Sequence, residues 1–346
     1  MALTEISRPG SHTVVPVDPL FDDGPNKMVE LARRFGRYRT YGEHEKIEIE
    51  IGRGLQQRHD SILYFLRTGG LRAAADGPAV LAARTAYFRE EYAYGDREFI
   101  DGIAPFLYSD RLAEAARTVH GNPVIVPAIA YANLMVPGQE LAVHTDVPEF
   151  RGANRKSLPQ WLLVVMHHSG LFDEWRLRIA TGIAWFHDSD HGALAYWPDG
   201  PTGPVSLHRI RANTALVLDT DTVFHGVDRV ANDSASVVPP VTSTTTLEPR
   251  DGHWTLVEQA GGDGAGVDVA DYDWDELRFS VSWKAYCFAD SSERASWLHH
   301  TDDLDEGVVV DRLVADLAER GIASADVARD RDLGLLLIDT YIGFPG

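Results

Sequence analysis

Two histidines and one aspartate have the types and spacing that could bind a metal ion. His144 and Asp146 close a short apolar run that follows a Pro-Gly turn. Because alternate residues of a β-strand point to the same face, the imidazole of His144 and the carboxylate of Asp146 can share one ion. His225 is a candidate third ligand, since it opens a strand after a buried apolar run and a turn of small polar residues. Two imidazoles and one carboxylate leave open coordination positions on a first-row transition metal.

Another segment could bind an anion. Arg278 and Ser280 belong to a β-type run in which alternation puts both side chains on one face. A guanidinium can donate two parallel hydrogen bonds to a buried carboxylate, and the neighbouring hydroxyl suits the same ligand. Arg229 lies much nearer to His225 in the chain and is a competing anchor, but it lacks the Arg-X-Ser context.

The order of these three segments resembles that of the iron(II)/2-oxoglutarate-dependent oxygenases. The shared pattern is His-X-Asp, a distal His and then Arg-X-Ser, and the resemblance covers roughly residues 131–288. It implies a double-stranded β-helix, the jelly-roll fold related to the cupins. The distal His and the Arg are 53 positions apart here, whereas they are close in the family, so we expect an inserted excursion between them.

The resemblance also implies roles for individual residues. His144, Asp146 and His225 would bind the catalytic Fe(II), and Arg278 and Ser280 would bind the distal carboxylate of 2-oxoglutarate. The enzyme would oxidise, and most simply hydroxylate, a small-molecule substrate such as an amino acid or a natural-product intermediate. It would consume O2 and convert 2-oxoglutarate to succinate and CO2.

Other residues could line the same pocket. Tyr131 and Asn133 share a face of the strand that leads to the proposed ligands, and we predict that both contact the cofactor. The polar loop after the ligands is well placed to cover the site, which makes Arg151 and Arg155 candidate substrate contacts. Trp283, beside the Arg-X-Ser pair, is a third candidate, with a position in the core as its alternative.

Two other functions remain open at this point. One is an iron-dependent oxidase or cyclase that uses the same three ligands without 2-oxoglutarate, so that Arg278 and Ser280 hold a carboxylate of the substrate. The other is a metal-binding cupin-like protein that does not activate O2. The fold does not distinguish these functions.

The elements that must position these residues can be predicted from periodicity. We expect a mainly β protein with flanking helices (α+β), organised as one catalytic domain over residues 1–346. An N-terminal α-rich support spans 25–122, a jelly-roll core spans 123–288 with an insertion at 231–275, and C-terminal helices span 289–346. Helices are predicted at 56–68, from Pro78, after the N-cap Ser109, around 309–317 and at 325–341. Residues 47–51 alternate as a strand would, 160–166 fit either a strand or a helix, and the insertion carries a predicted hairpin.

Composition narrows the partners. The chain has 346 residues, 44% of them hydrophobic, which suffices for a large core. A formal charge of −20 disfavours nucleic acid and anionic membrane surfaces. Cys287 is the only cysteine, so no intramolecular disulfide can form and a cytoplasmic location is expected. We therefore expect a small-molecule substrate, no nucleic-acid or membrane partner, and either a monomer or a homodimer.

Overall fold

Two antiparallel sheets face each other in the middle of the chain. The structure is a computed structural model that describes residues 11–41, 47–73, 75–231, 238–259 and 266–346. Parts of the predicted insertion, 232–237 and 260–265, lie outside the described residues.

The strands of the described residues are numbered in chain order. The first six are β1 Val15–Val17, β2 Tyr38–Thr40, β3 Phe88–Tyr94, β4 Arg97–Glu98, β5 Val124–Met135 and β6 Leu141–His144. The next six are β7 Glu149–Phe150, β8 Arg176–Leu177, β9 Ile179–Trp185, β10 Ser189–Tyr196, β11 Ser206–Ile210 and β12 Thr214–Leu218. The last five are β13 His225–Val227, β14 Thr245–Arg250, β15 His253–Glu258, β16 Val267–Tyr272 and β17 Arg278–Phe288.

The pairing of these strands produces a jelly roll. The larger sheet has the order β1-β12-β9-β17-β5-β3-β2-β14-β15-β16, with β4 paired to β3, and the smaller has the order β11-β10-β13-β6. Eight strands form the core: β12-β9-β17-β5 in one sheet and β11-β10-β13-β6 in the other. Successive core strands lie in opposite sheets except β10 and β11, which pair with each other in the smaller sheet. Two packed sheets of four strands each are the arrangement of a jelly roll. The predicted fold class, mainly β with a jelly-roll core and flanking helices, is confirmed.

Strand β17 shows how the sequence divides between the two faces of the larger sheet. Its residues alternate, and both sets are buried. The apolar set packs in the main hydrophobic core with the helices outside the sheet, and consists of Phe279, Val281, Trp283 and Ala285. The polar set lines the pocket between the two sheets, and consists of Arg278, Ser280, Ser282 and Lys284. The interior of the jelly roll is therefore polar along this strand.

Helices support both sheets from outside. They are α1 Asn26–Phe35, α2 His59–Thr68, α3 Pro78–Thr85, α4 Ala104–Leu107, α5 Asp110–His120, α6 Gln160–Ser169, α7 Ser291–His299, α8 Val309–Glu319 and α9 Arg331–Tyr341. The predicted cap of α5 is present, since the hydroxyl of Ser109 accepts a hydrogen bond from the amide of Leu112 at 3.4 Å. Residues of α6, α8 and α9 form a second core cluster together with Val143 and Phe224, which lie beside the proposed ligands.

Two local predictions are decided by packing. Residues 160–166, which fit either a strand or a helix, lie in α6, almost all of which is buried. The strand predicted at 47–51 is wrong, because Glu50–Gly52 form a 3-10 turn. Ile51 is buried in the second core cluster, and a Cβ on Gly52 would lie 2.7 Å from the indole of Trp161. The alternating isoleucines thus reflect a turn packed against α6 rather than a sheet.

The described part of the insertion extends the larger sheet. Strands β14, β15 and β16 continue from β2 at the edge remote from β12. Trp254 of β15 is 1% exposed, and its ring centroid lies 5.8 Å from that of Tyr38. The hairpin therefore completes the core, and none of its described residues lines the main pocket.

Among the described residues, each helix is too short or too polar to cross a bilayer.

Candidate metal centre

The three proposed ligands converge at one end of the smaller sheet. His144 ends β6, His225 begins β13, and the two are paired across the strands. Their ring centroids lie 4.4 Å apart. Oδ1 of Asp146 lies 3.6 Å from Nε2 of His144 and 3.9 Å from Nε2 of His225. Potential ligand atoms of all three residues lie within 4.8 Å of one another, so the predicted convergence is confirmed.

Backbone carbonyls orient both imidazoles. Nδ1 of His144 lies 2.7 Å from the carbonyl oxygen of Ala142, and Nδ1 of His225 lies 3.0 Å from that of Val223. Since only a protonated Nδ1 can donate to a carbonyl, the lone pair is left on each Nε2, which faces Asp146. Burial, together with the neighbouring imidazole of His144, lowers the pKa of His225 to about 4. Both rings thus direct Nε2, the nitrogen that could bind a metal ion, toward Asp146.

The carboxylate of Asp146 is held by one oxygen. Oδ2 accepts hydrogen bonds from Nζ of Lys284 at 2.7 Å and from the hydroxyl of Thr220 at 2.6 Å. The other oxygen, Oδ1, faces the histidines. Burial acts to raise the pKa of Asp146, but Lys284 and the two imidazoles hold it well below the usual value. The site therefore presents an ionised carboxylate with one oxygen directed at the metal position.

Sequence reasoning missed Lys284 and Thr220. Lys284 lies four residues after Ser280 on the same strand, so alternation alone places it on the pocket face. Its pairing with Asp146 joins residues 138 positions apart, and no local pattern shows that. Thr220 lies in the turn of small polar residues before His225, and no motif distinguishes it from its neighbours.

Arg278 lies further along the same face. Its Nε donates to the carbonyl of Gly192 at 2.8 Å, and its Nη1 donates to the hydroxyl of Ser280 at 3.0 Å. Arg278 is 2% exposed and forms no ion pair with a described carboxylate. Burial lowers the pKa of its guanidinium to about 9, which leaves it charged at neutral pH. A buried cation without a counter-ion is costly, so this position suits an anionic ligand.

Arg229 has a different role. Its Nε and Nη2 donate to Oε2 of Glu140 at 3.1 and 3.0 Å, and both side chains are buried. Arg229 does not line the pocket. Its charge is already balanced by Glu140, which makes it a poor anchor for a free carboxylate.

The pocket joins the three ligands to Arg278. Its volume, counted together with the space at its open mouth, is about 980 Å³. Tyr131 and Asn133 both line it, opposite Ser282 and Ser280 in the strand register. Nδ2 of Asn133 donates to the hydroxyl of Ser282 at 3.2 Å, whereas its Oδ1 is buried without a hydrogen-bond partner. That oxygen can accept a hydrogen bond from a bound molecule.

The three predicted substrate contacts separate in space. Arg155 lines the pocket. Arg151 instead binds Asp302, at 3.0 Å, and the carbonyl of Glu174, so it ties the loop to the C-terminal region away from the pocket. Trp283 points into the main core, where its indole N–H donates to the carbonyl of Leu107 at 2.7 Å. Arg151 and Trp283 are therefore not placed to contact a substrate.

The N-terminal support reaches the metal centre through Arg58. This guanidinium donates to the carbonyl of Thr145, between the two proposed ligands of that segment, at 2.8 Å. It also binds both carboxylate oxygens of buried Asp60, at 3.1 and 2.9 Å. The start of α2 thus fixes the backbone on which His144 and Asp146 stand.

Comparisons with known proteins add a distant likeness in fold. No family model matches the chain. No curated protein matches its sequence. A crystal structure of a 2OG-Fe(II) oxygenase family oxidoreductase from Burkholderia pseudomallei is 10% identical over 58% of this chain and 66% of that one, with a TM-score of 0.31. A prolyl-4-hydroxylase from Pseudomonas putida is 10% identical over 80% of this chain and 93% of that one, with a TM-score of 0.37.

A third structure has a bound cofactor. HygX from Streptomyces hygroscopicus, solved with nickel, 2-oxoglutarate and hygromycin B, is 10% identical over 80% of this chain and 84% of that one. Its TM-score is 0.38. At such scores these structures indicate neither activity nor substrate, and the functional assignment rests on the geometry of the site itself.

Proposed function

We propose that the protein is a non-haem Fe(II)/2-oxoglutarate-dependent dioxygenase that oxidises, most simply hydroxylates, a small-molecule substrate. The observation that carries this proposal is Arg278. It is a buried guanidinium without a counter-ion among the described residues, on the pocket face of the strand whose Lys284 binds Asp146. One pocket thus combines a metal-binding triad with a separate receptor for a carboxylate.

The donor set suits iron. Two neutral imidazoles and one carboxylate bind Fe(II) on one face and leave other positions open. His144, His225 and Oδ1 of Asp146 would hold the ion. Ala142, Val223 and Thr220 keep those donors in place through the hydrogen bonds described above. Such support normally matters for metal affinity and activity.

The remaining polar groups suit a dicarboxylic 2-oxo acid. Arg278 and Ser280 would bind the carboxylate remote from the metal, and Asn133 and Tyr131 line the space between. When bound, Fe(II) and 2-oxoglutarate would supply O2 activation, coupled to the release of succinate and CO2. The chain's own residues orient the two reactants, while apolar side chains such as Met135, Ile183 and Leu194 limit water in the pocket.

Formation of succinate tests this function. The purified protein with Fe(II), ascorbate and 2-oxoglutarate should release succinate in amounts that rise with a turned-over small molecule, found by screening amino acids and natural-product scaffolds by mass spectrometry. His225→Ala should abolish the release without unfolding the protein. Substrate oxidation without succinate would indicate the oxidase or cyclase that holds its substrate through Arg278. Metal binding with neither reaction would indicate the non-oxidative cupin-like protein.

Two further expectations complete the proposal. Cys287 is buried, and the single cysteine is consistent with a cytoplasmic location. The partners would be a small molecule and either no protein or a second copy of the chain. Fractionation of the native host and sedimentation of the purified protein would test them.

A further inference from the structure

We propose that the substrate carries an anionic oxyacid group, a carboxylate or a phosphate, which binds to Arg89 and Arg155, two cations that line the same pocket as Arg278. This inference deepens the proposed function and rests on it, because it takes Arg278 to be occupied by 2-oxoglutarate. It assigns roles to two guanidinium groups that the metal and the cofactor do not use.

The charges that line the pocket are strongly unbalanced. Among the described residues that line it there is one carboxylate, that of Asp146. The same residues include five cations: Arg58, Arg89, Arg155, Arg278 and Lys284. The whole chain, by contrast, has a formal charge of −20. Arg58 is neutralised by Asp60 and Lys284 by Asp146. The two negative charges of bound 2-oxoglutarate would balance the two positive charges of Fe(II). The positive charges of Arg89 and Arg155 would then remain without a balancing anion in the pocket.

Arg89 is held with its plane fixed. It lies on β3, opposite Asn133 of β5, so it faces the pocket two strands from Ser280. Its Cζ lies 3.5 Å from the ring centroid of Tyr131 and 4.8 Å from that of Tyr41. Stacking of this kind holds a guanidinium by its faces. The hydroxyl of Tyr87 accepts one hydrogen bond from Arg89, and the other edge N–H groups can donate to a ligand.

The counter-ion of Arg89 is weak. Its nearest described carboxylate is that of Glu91, at 4.0 Å, with a side chain that is 47% exposed. Such a pair contributes little, because solvent screens it. The side chain of Arg89 is only 14% exposed. A mostly buried guanidinium beside a half-exposed acid therefore retains most of its capacity for an anionic ligand.

Arg155 provides a second donor from a separate element. It lies in the loop between β7 and α6, lines the pocket, and forms no ion pair with a described residue. Glu149, near it in the chain, accepts a hydrogen bond from the hydroxyl of Tyr286 at 2.8 Å. Arg155 is half-buried, and its side chain lines the same pocket as that of Arg89.

The same part of the pocket has aromatic walls. The rings of Tyr41 and Tyr87 are stacked with centroids 5.1 Å apart, and Tyr131 lies under Arg89. These rings suit the flat or apolar body of a molecule whose acidic group reaches the guanidinium. Aromatic acids are therefore suitable first probes.

Binding of matched probes tests the inference. Anaerobic protein is loaded with Fe(II) and saturating 2-oxoglutarate, and the visible charge-transfer band is recorded first. Benzoate, phenyl phosphate and neutral benzamide are then titrated by calorimetry. At least one of the two anions should bind tenfold or more tightly than benzamide, and the tighter anion identifies the acid. Arg89→Gln should weaken that anion by about tenfold to a hundredfold, the range for lost hydrogen bonds to a charged group.

Control variants separate a binding role from a structural one. Arg89→Gln should leave the charge-transfer band and benzamide binding unchanged. Arg155→Gln, in the loop between β7 and α6, should weaken binding of the same anion less than Arg89→Gln does. Arg97→Gln should have no effect, because Arg97 stacks on exposed Phe99 outside the pocket, with its Cζ 5.1 Å from that ring.

Several outcomes would overturn the inference. One is that neither benzoate nor phenyl phosphate binds more tightly than benzamide. Another is that Arg89→Gln weakens the binding of all three probes equally. Failure of the proposed function would look different. Wild-type protein would then form no charge-transfer band, whereas any preference for anions that depends on Arg89 would persist.

Discussion

Lys284 donates a hydrogen bond to Oδ2 of Asp146 at 2.7 Å, so a buried ammonium shares the carboxylate that we assign to the metal. The same oxygen also accepts from Thr220. This arrangement leaves Oδ1 as the oxygen directed at the histidines. A metal ion would bind Oδ1 while Lys284 binds Oδ2, so both cations would interact with the same carboxylate. Stability and metal affinity should therefore be coupled at this position.

Replacing Lys284 tests that coupling. Lys284→Met should lower the stability of the metal-free protein, by up to about 3–5 kcal/mol, because the carboxylate of Asp146 loses its buried partner. Added Ni(II) should then raise the melting temperature more than in the wild type, since no ammonium opposes the ion. Thr220→Val, which removes a neutral donor, should cost only about 0.5–1.5 kcal/mol. A smaller metal-induced shift in Lys284→Met would show that the lysine mainly positions the ligand.

Arg278 and Arg229 should respond differently to the same substitution. Arg278→Lys removes the fork that receives the carboxylate, so the KM for 2-oxoglutarate should rise by about one to two orders of magnitude. Iron affinity should change little. Arg229→Lys disturbs the pair with Glu140 and should affect stability instead. Anaerobic titration of the iron–2-oxoglutarate charge-transfer band measures the affinity of each variant for 2-oxoglutarate. Loss of the band in Arg229→Lys alone would show that Arg229, and not Arg278, binds the carboxylate.

Gly192 should control the position of Arg278. Its carbonyl accepts from Arg278, its φ is +68°, and a Cβ there would lie 2.7 Å from Cδ of Arg278. Gly192→Ala should displace the guanidinium of Arg278 and lower the affinity for 2-oxoglutarate. Metal binding should be unchanged. Gly95→Ala is the matched control, since Gly95 has φ +61° and nothing within 4 Å of an added Cβ. Equal 2-oxoglutarate affinity in the two variants would contradict the role of Gly192.

The insertion should behave as part of the core. Trp254 of β15 is buried against Tyr38. Trp254→Ala should lower the free energy of unfolding by about 3–5 kcal/mol because it opens a cavity in the main core. The affinity for 2-oxoglutarate, measured well below the melting temperature, should be unchanged. Denaturant unfolding measures the loss of stability. An altered affinity for 2-oxoglutarate in the folded variant would show that the hairpin does influence the pocket.

Asp221 should make stability depend on pH. It is fully buried, and neither carboxyl oxygen has a hydrogen-bond partner in the part of the chain that the structure describes. Burial raises its pKa to about 7. Because the folded protein holds this proton more tightly than the unfolded chain, the contribution of Asp221 to stability falls as pH rises from about 4 to about 7. The contribution of Asp221 to the free energy of unfolding should change by at most about 1.4 kcal/mol per pH unit.

Asp221→Asn should remove that pH dependence in metal-free protein. The variant should gain stability relative to the wild type between pH 5 and pH 8, as measured by urea unfolding at both values. Asp311→Asn, on the exposed side of α8, is the control. Its free energy of unfolding should differ from that of the wild type by nearly the same amount at pH 5 and at pH 8. A wild-type protein that becomes more stable from pH 5 to 8 relative to Asp221→Asn would contradict the assigned pKa.

Local chemistry made much of this protein predictable from its sequence. The two-residue period of β17 places Arg278 and Ser280 on one face, and the same rule pairs His144 with Asp146. Pro78 and Ser109 mark helix starts because their effects extend only over the first turn of a helix. Each of these inferences depends on neighbours within a few positions.

Only the tertiary structure decided which remote groups meet. The apolar run of α6 suits either a strand or a helix, and packing between the smaller sheet and α9 selects the helix. Arg229 and Arg278 look alike in the sequence, yet Glu140 neutralises the first and no described acid reaches the second. Lys284 binds Asp146 across 138 positions of the chain. The charge balance of a buried group depends on its neighbours in space, and the sequence lists its neighbours only along the chain.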